Sequence, residues 1–428
     1  QQQHAPQGAK HRRRRALWLA GAAFALLAAL AAIFADDARS WVRRRRLRAA
    51  NVVLITLDTL RADHLGCYAP DRVRTPSLDA LAADGVLFAE AVAQTPLTLP
   101  SHATILSGVY PFTHQVRDNR MSRVPAGLPL LSTALRGHGM DTAAFLGSMV
   151  LDSAYGLDRG FDLYADRFAA PDPGDCWSEV RKPADAVLAE AREWISGHAR
   201  RPFFAWIHLY DPHAPWDPPE PFRGQYPGHP YRAAVAFMDA ELGKFFAFLK
   251  EARLWQRTLV VVAADHGEGL GEHGEESHGF FVYQATLRVP LLVHLPFPVA
   301  GRRVGGRVEL TDVAPTILEA KGLPIPRAVQ GRSLLPAVLG GPLRRPDEAY
   351  GESHYPRLHF GWSELRTYYQ GGWKYILAPR EELYDLGRDP GEARNLAAER
   401  PEECRRLRGL LLRKLAVAGP PLPLDEPR

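Results

Sequence analysis

Apolar runs that stop at an acid recur along this chain. Residues 51–57 are apolar or β-branched after Asn51 and end at Asp58; residues 203–209 lead into Tyr210-Asp211, and residues 258–264 lead into Asp265. Runs of this length without polar alternation predict strands buried on both faces, as parallel strands are. Between them the period changes to that of helices, over residues 76–84, 101–106, 129–137, 183–197 and 231–252. The alternation predicts an α/β fold with a large, mostly parallel central sheet flanked by helices. In open sheets of this kind sites are built at the carboxyl edge. Three strands deliver Asp58, Asp211 and Asp265 to that kind of position.

Thr311-Asp312 is expected to cap a further helix. Beyond Gly340-Gly341-Pro342 the texture changes. Short aromatic runs at 367–369 and 373–376 predict a small antiparallel sheet, and 401–417 a closing helix. The expected organisation is a basic tail over 1–50, a catalytic domain over 51–341 and a small C-terminal α+β subdomain over 342–428. Residues 212–230, dense in proline and aromatics, predict a rigid loop over the site.

Charge alters the picture only once it is located. The 428 residues carry a net charge of +5, which suggests a polyanion partner. Residues 1–50 hold eleven Lys and Arg against two Asp, so residues 51–428 are net acidic by four charges. The body has no bulk charge reason to bind nucleic acid. Within the tail, residues 16–35 are uncharged and apolar over about the length a helix needs to cross a bilayer. A membrane anchor is expected, with a cleaved secretory signal as the alternative. Three widely spaced cysteines argue against a disulfide framework and a cysteine zinc cluster.

The candidate chemistry centres on Thr98-Leu99-Pro100-Ser101-His102. Pro100 suits the first turn of a helix, which leaves Thr98 at the positive end of that helix, where an anionic ester is favoured. A hydroxyl is a poor nucleophile at neutral pH, and a divalent cation is one of the few devices that activate it. Asp58, Asp265 and His266 are the candidate ligands, with Thr98.

These residues resemble the sulfatase branch of the alkaline phosphatase superfamily. The pieces arrive in that family's order from Asn51 to about Leu396: the strand ending at Asp58, the Thr98 motif closed by Leu106-Ser107-Gly108, Asp211-Pro212-His213-Ala214-Pro215, Asp265-His266-Gly267-Glu268, and Glu382 to Leu386 with Asp389-Pro390. The resemblance implies a metal-dependent hydrolase of a small-molecule, lipid or glycan ester, held in the cell envelope with its body outside the cytoplasm. It also implies that Asn119 hydrogen-bonds the substrate oxyanion, and that position 102 is an arginine steadying the nucleophile, replaced here by His102, a candidate substrate contact. His213 and His278 then either bind the ester and protonate its leaving group, or hold a second metal with Asp211.

The departures from the family pattern are informative. Thr59 and His266 stand where sulfatases carry an acid and an asparagine, which shifts the site from calcium, still possible, toward zinc or manganese. Thr98 stands where they carry the cysteine or serine that becomes formylglycine, an aldehyde that threonine cannot form. Gly147-Ser148-Met149-Val150 lacks their Lys-x-His sulfate clamp. Within the superfamily, threonine is the nucleophile of phosphodiesterases and phosphoethanolamine transferases. The expectation is attack by Thr98 on a phosphate mono- or diester through a phosphothreonine. Sulfuric ester hydrolysis, transfer of the phospho group and a non-catalytic metal-binding membrane protein are the alternatives.

Overall fold

In the computed structural model, which describes residues 18–19, 39–168 and 180–417, two sheets carry the architecture. The main sheet has eight strands: β1 (Asn51–Leu57), β2 (Val86–Val92), β3 (Asp141–Leu146), β4 (Leu163–Ala165), β5 (Phe203–Leu209), β6 (Thr258–Ala264), β7 (Arg288–His294) and β8 (Arg302–Glu309). Their spatial order is β4-β3-β5-β1-β6-β7-β2-β8. Only β7 runs against its neighbours. The three strands expected from the apolar runs lie side by side at the centre, β1 between β5 and β6, with every residue of the three buried.

Register explains why the site falls where it does. Leu57 pairs with Leu209 on one side and with Ala264 on the other, so the next residue, Asp58, leaves the sheet level with Tyr210 and Asp265. Side chains alternate along β5. Phe203 meets Trp194 of the helix Ala184–His198 edge to face at 5.9 Å, and Trp206 faces His102 of the helix Thr98–Ser107 at 5.3 Å. Those two helices therefore cover opposite faces of the sheet.

Several strands carried too little pattern to be expected. Strand β7 contains Pro290, which cannot donate to a ladder and ordinarily argues against an interior strand. The sheet accommodates it with a register shift in β2 between Phe88 and Ala91, which face Leu291 and Val289. The helix Val313–Lys321 has Asp312, one of the two expected caps, at its N-cap position, but the Asp312 side chain does not cap that helix. A turn, Leu310–Asp312, precedes it, and Glu309 with Asp312 forms the capping box.

The smaller sheet is antiparallel, in the order β12-β11-β10-β9, from β9 (Glu348–Ser353), β10 (Leu365–Gln370), β11 (Trp373–Leu377) and β12 (Glu382–Asp385). The helix Pro401–Val417 closes its core through Cys404, Leu407 and Leu411 against Tyr350, Tyr368 and Tyr375. The chain divides into two compact units, Gln1–Arg48 and Ala49–Arg428, and both sheets lie in the second. Apart from Trp18 and Leu19, the segment 16–35 lies outside the described residues. Among the described residues no helix is long and apolar enough to cross a membrane.

Arg345 ties the small sheet's approach to the main one. Its guanidinium bonds Glu309 Oε2 at 2.7 Å and also reaches Asp312, and all three side chains are almost wholly buried. Glu309 in turn accepts from Tyr110 Oη and the Tyr350 N–H. Removing one partner of such a set strands the others' charge. Arg345→Met should lower unfolding free energy by about 3–5 kcal/mol, as measured by urea denaturation.

Candidate active site

Asp58, Thr98, Asp265 and His266 converge, all of them buried. Thr98 opens its helix, and Leu97 before it provides no side-chain cap. Its Oγ1 lies 3.3 Å from His266 Nε2 and 3.5 Å from Asp58 Oδ2. His266 Nδ1 must donate to the Gly267 carbonyl at 2.9 Å, so the Nε2 lone pair faces the centre. Asp265 Oδ1 accepts the N–H groups of His266 and Thr59, while Asp58 Oδ2 faces His208 Nε2 at 3.1 Å. That leaves Asp58 Oδ1 and Asp265 Oδ2 buried without a hydrogen-bond partner, 3.9 and 3.4 Å from His266 Nε2.

This arrangement fits a cation. One ligand atom each from Asp58, Asp265 and His266 can lie within 4.8 Å of one another. Burial and the neighbouring Asp58 charge push the Asp265 carboxyl well above its ordinary range. Burial works against the charged form of Asp58 too, but the His208 hydrogen bond and nearby histidines hold it below its ordinary range. Burial also drives the His266 ring well below its usual value, which keeps it neutral, as a ligand must be. Two carboxylates with bare oxygens and an imidazole lone pair form a mixed oxygen and nitrogen donor set.

His208 was not legible as a site residue. It is the one imidazole in the apolar run of β5, and pairing with Thr56 brings it beside Asp58. Thr59 was legible only as a missing acid. Its φ of +54° is unusual for a β-branched residue, and it is held by its N–H to Asp265 and by Tyr231 Oη, which donates to its carbonyl. Local strain of this kind clusters at functional sites.

His102 is not a substrate contact. Its ring is wholly buried, with Nδ1 donating to the Thr98 carbonyl at 2.8 Å and Nε2 accepting from Thr56 Oγ1 at 2.9 Å, which in turn accepts from Trp206 Nε1. Burial lowers its pKa to about 3, so the ring stays neutral. It holds the Thr98 turn from beneath.

The other candidates divide. His278 lies beside the centre, its ring 4.5 Å from that of His266 and 5.0 Å from that of His213, which stacks on Tyr210 at 4.3 Å. Glu268 Oε1 accepts from His278 Nδ1 at 2.9 Å. Burial opposes the charged ring of His278, yet the Glu268 carboxylate outweighs it and raises His278 above the ordinary histidine value. Burial lowers His213. Asn119 Oδ1 accepts the Leu99 N–H at 2.9 Å, which places its amide at the Thr98 turn. Glu268 was visible in the motif but carried no assigned role, because its partner is ten residues away.

Asp211, His213 and His278 are not among the triads brought within ligating distance in the described residues. Asp211 Oδ1 instead accepts the N–H of Ala184 at 3.1 Å, at the start of the helix Ala184–His198, and Oδ2 is buried without a partner. Burial pushes this carboxyl up to about 7, against 3.8 ordinarily. The folded chain therefore binds the Asp211 proton more tightly than the unfolded chain does. The group's contribution to stability falls as pH rises from about 4 to about 7 and is lowest above that. Asp211→Asn, which keeps an acceptor for Ala184, should stabilise the protein by about 1–3 kcal/mol at pH 8 and by almost nothing at pH 4. Urea unfolding at the two pH values reads the difference.

A broad sheet bearing a hydroxyl at a helix start, with acids and a histidine delivered by adjacent strand ends, is the architecture of the alkaline phosphatase superfamily. The fold agrees with that of the phosphonate monoester hydrolase of Agrobacterium radiobacter, with a TM-score of 0.74 at 23% identity over 86% of this chain and 96% of that one. The family model "Sulfatase" matches residues 50–323, and the model "N-sulphoglucosamine sulphohydrolase, C-terminal" matches residues 271–416. The chain belongs to the sulfatase family. Human (Homo sapiens) arylsulfatase K is 26% identical over 483 aligned positions, covering 90% of this chain and 85% of that protein. The match to arylsulfatase K of Rattus norvegicus is stronger, 35% over 183 residues, but spans 40% of this chain and about a third, 32%, of that protein.

Proposed function

We propose that this protein is a metal-dependent hydrolase of phosphate mono- or diesters, with Thr98 as nucleophile. The observation that carries the reading is the placement of Thr98 Oγ1 at a helix start, 3.3 Å from His266 Nε2 and 3.5 Å from Asp58 Oδ2. A divalent cation held by Asp58, Asp265 and His266 would lower the pKa of the Thr98 hydroxyl and neutralise charge on the ester.

In the proposed reaction the Thr98 hydroxyl gives its proton to solvent, Oγ1 bonds to phosphorus as the bond to the leaving alcohol oxygen breaks, and His278, whose charged form Glu268 favours, gives that oxygen its proton. His278 then takes a proton from the water that attacks the phosphothreonine, which releases phosphate, or a phosphate monoester where a diester was bound, and returns Thr98 as the alkoxide that begins the next cycle. Asn119, fixed by the Leu99 N–H, is suited to bind a non-bridging oxygen.

The choice of phosphate rests on how the covalent adduct is broken. Water can attack phosphorus, whereas a sulfothreonine lacks the formylglycine route of release and should accumulate. Sulfuric ester hydrolysis is the second reading, favoured by the names of the arylsulfatase K relatives. Turnover on matched aryl phosphate and aryl sulfate separates the two: repeated phosphate release with at most one sulfate turnover supports the proposal, and sustained sulfate release above the phosphate rate overturns it. We place the body outside the cytoplasm on a tether formed by residues 16–35. The full chain should then stay with membranes through high-salt and carbonate washes, while a chain beginning at Asn51 should be soluble. Release by salt alone would mean that only the arginines bind lipid headgroups.

A further inference from the structure

Most exposed apolar side chains of a soluble body need no explanation, but contiguous ones do. The helix Tyr355–Phe360 and the residues after it present Leu358, Phe360 and Trp362 to solvent, with Phe360 49% and Trp362 62% exposed. These rings form one cluster. Phe360 lies 5.1 Å from Trp362 and 5.3 Å from Phe280, and Phe280 lies 5.1 Å from Tyr355. The half-buried rings of Phe280 and Tyr355 thus back the exposed pair.

The cluster is fastened to the nucleophile turn from two sides. Gly279 directly follows His278, and its φ of +105° is a conformation for glycine alone. A Cβ there would lie 3.4 Å from Leu97, the residue before Thr98, and 3.6 Å from the Tyr355 ring. The Gly279 carbonyl also accepts from Ser353 Oγ, just ahead of the aromatic helix. On the other side His359 Nε2 bonds Asp118 Oδ2 at 2.6 Å, next to Asn119, which holds the Leu99 N–H. The charges of this element are spent on one another: Arg357 with Glu364 at 2.7 Å, Arg366 with Glu364 at 3.5 Å. Between these pairs Leu358, Phe360 and Trp362 face outward.

We infer that Phe360 and Trp362, backed by Phe280 and Tyr355, form the binding surface for the alcohol half of the ester, and that this half carries a ring with a flat apolar face. The inference rests on the reading of the Thr98 centre as an ester hydrolase site. Continuity with that centre, through Gly279 and Asp118, names the occupant. The phospho group needs the polar centre, and the group attached to it must leave along a wall of rings. Aryl groups and pyranose sugars share the required face; a short alkyl chain lacks it.

The test compares phenyl, glucosyl and butyl phosphates on the wild type and on Phe360→Ala, Trp362→Ala and the double variant, with the matched sulfates run alongside. Both side chains are exposed, so unchanged thermal unfolding is expected. The wild type should favour a ring ester over the butyl ester. The double variant should raise KM for that ring ester about tenfold, with kcat and the butyl KM unchanged. Which ring ester responds, phenyl or glucosyl, distinguishes the two sources. Quenching of Trp362 fluorescence by phenyl phosphate or phenyl sulfate, measured as the difference between wild type and Trp362→Ala, reads occupancy without turnover. Ring preference retained on sulfates alone sinks the phosphate assignment and leaves the aromatic surface standing. Equal KM for ring and butyl esters, or no quenching difference, overturns the surface. So does loss of binding to anionic phospholipid vesicles in the double variant with unaltered kinetics, which would make these rings a membrane contact.

Discussion

Thr98→Ala should reduce turnover of phosphate esters by at least about 10³-fold while leaving the fold and the bound metal in place. The expectation follows from the position of the residue. Thr98 is almost wholly buried at a helix start, and its backbone is held independently of its hydroxyl: the carbonyl by His102 and the next N–H by Asn119. Deleting the hydroxyl therefore removes the attacking atom without releasing the turn. Mass analysis of the wild-type peptide containing Thr98, quenched in acid during turnover, should show one added phospho group, and the variant none. An unmodified Thr98 with undiminished turnover in the variant would place the nucleophile elsewhere. Thr98→Ser should restore part of the activity, since the oxygen returns and only the methyl group is lost.

Asp58→Ala combined with Asp265→Ala should abolish both bound metal and activity. In the metal-free protein these two carboxylates repel each other in a buried site, with Asp58 Oδ1 and Asp265 Oδ2 bare. A cation relieves that repulsion, so binding should raise the wild type's unfolding free energy, by about 2.7 kcal/mol at a free metal concentration of 100 times Kd. The double variant should show no such rise, and its metal-free form should be no less stable than the metal-free wild type. Elemental analysis and thermal unfolding with and without added metal check both statements. Zinc or manganese should restore a stripped enzyme; restoration by calcium alone would count against the mixed donor set of two carboxylates and an imidazole. Retained metal in the double variant would remove these residues from the site.

The sheet centre and the candidate metal ligands were readable because both leave local signals. An uninterrupted apolar run such as residues 258–264 has only one comfortable place, between two other strands, and the acid that ends it has only the sheet's edge to occupy. The closing helix 401–417 likewise announces itself in its own residues. Strand β7 does not, because Pro290 argues against a strand locally and only the shifted register of β2 makes room for it. The site divides in the same way. Asp58, Thr98, Asp265 and His266 follow from strand ends and a helix start, whereas His208, Glu268 and the true posture of His102 depend on which strands and turns become neighbours.

Asp211 shows that limit most directly. As a strand-end acid in a motif with His213 it looks like a ligand, yet its carboxylate turns to the Ala184 N–H, because an unsatisfied N–H at a helix start competes for the same oxygen. By itself, then, the sequence determined the α/β class and the central strands and singled out a candidate nucleophile and three candidate ligands, since periodicity and strand-end chemistry act within a few residues. Tertiary structure alone decided the outer strands, the neighbours that set each histidine's proton, and the aromatic wall beside Gly279. Those depend on contacts between residues tens to hundreds of positions apart, which no local pattern encodes.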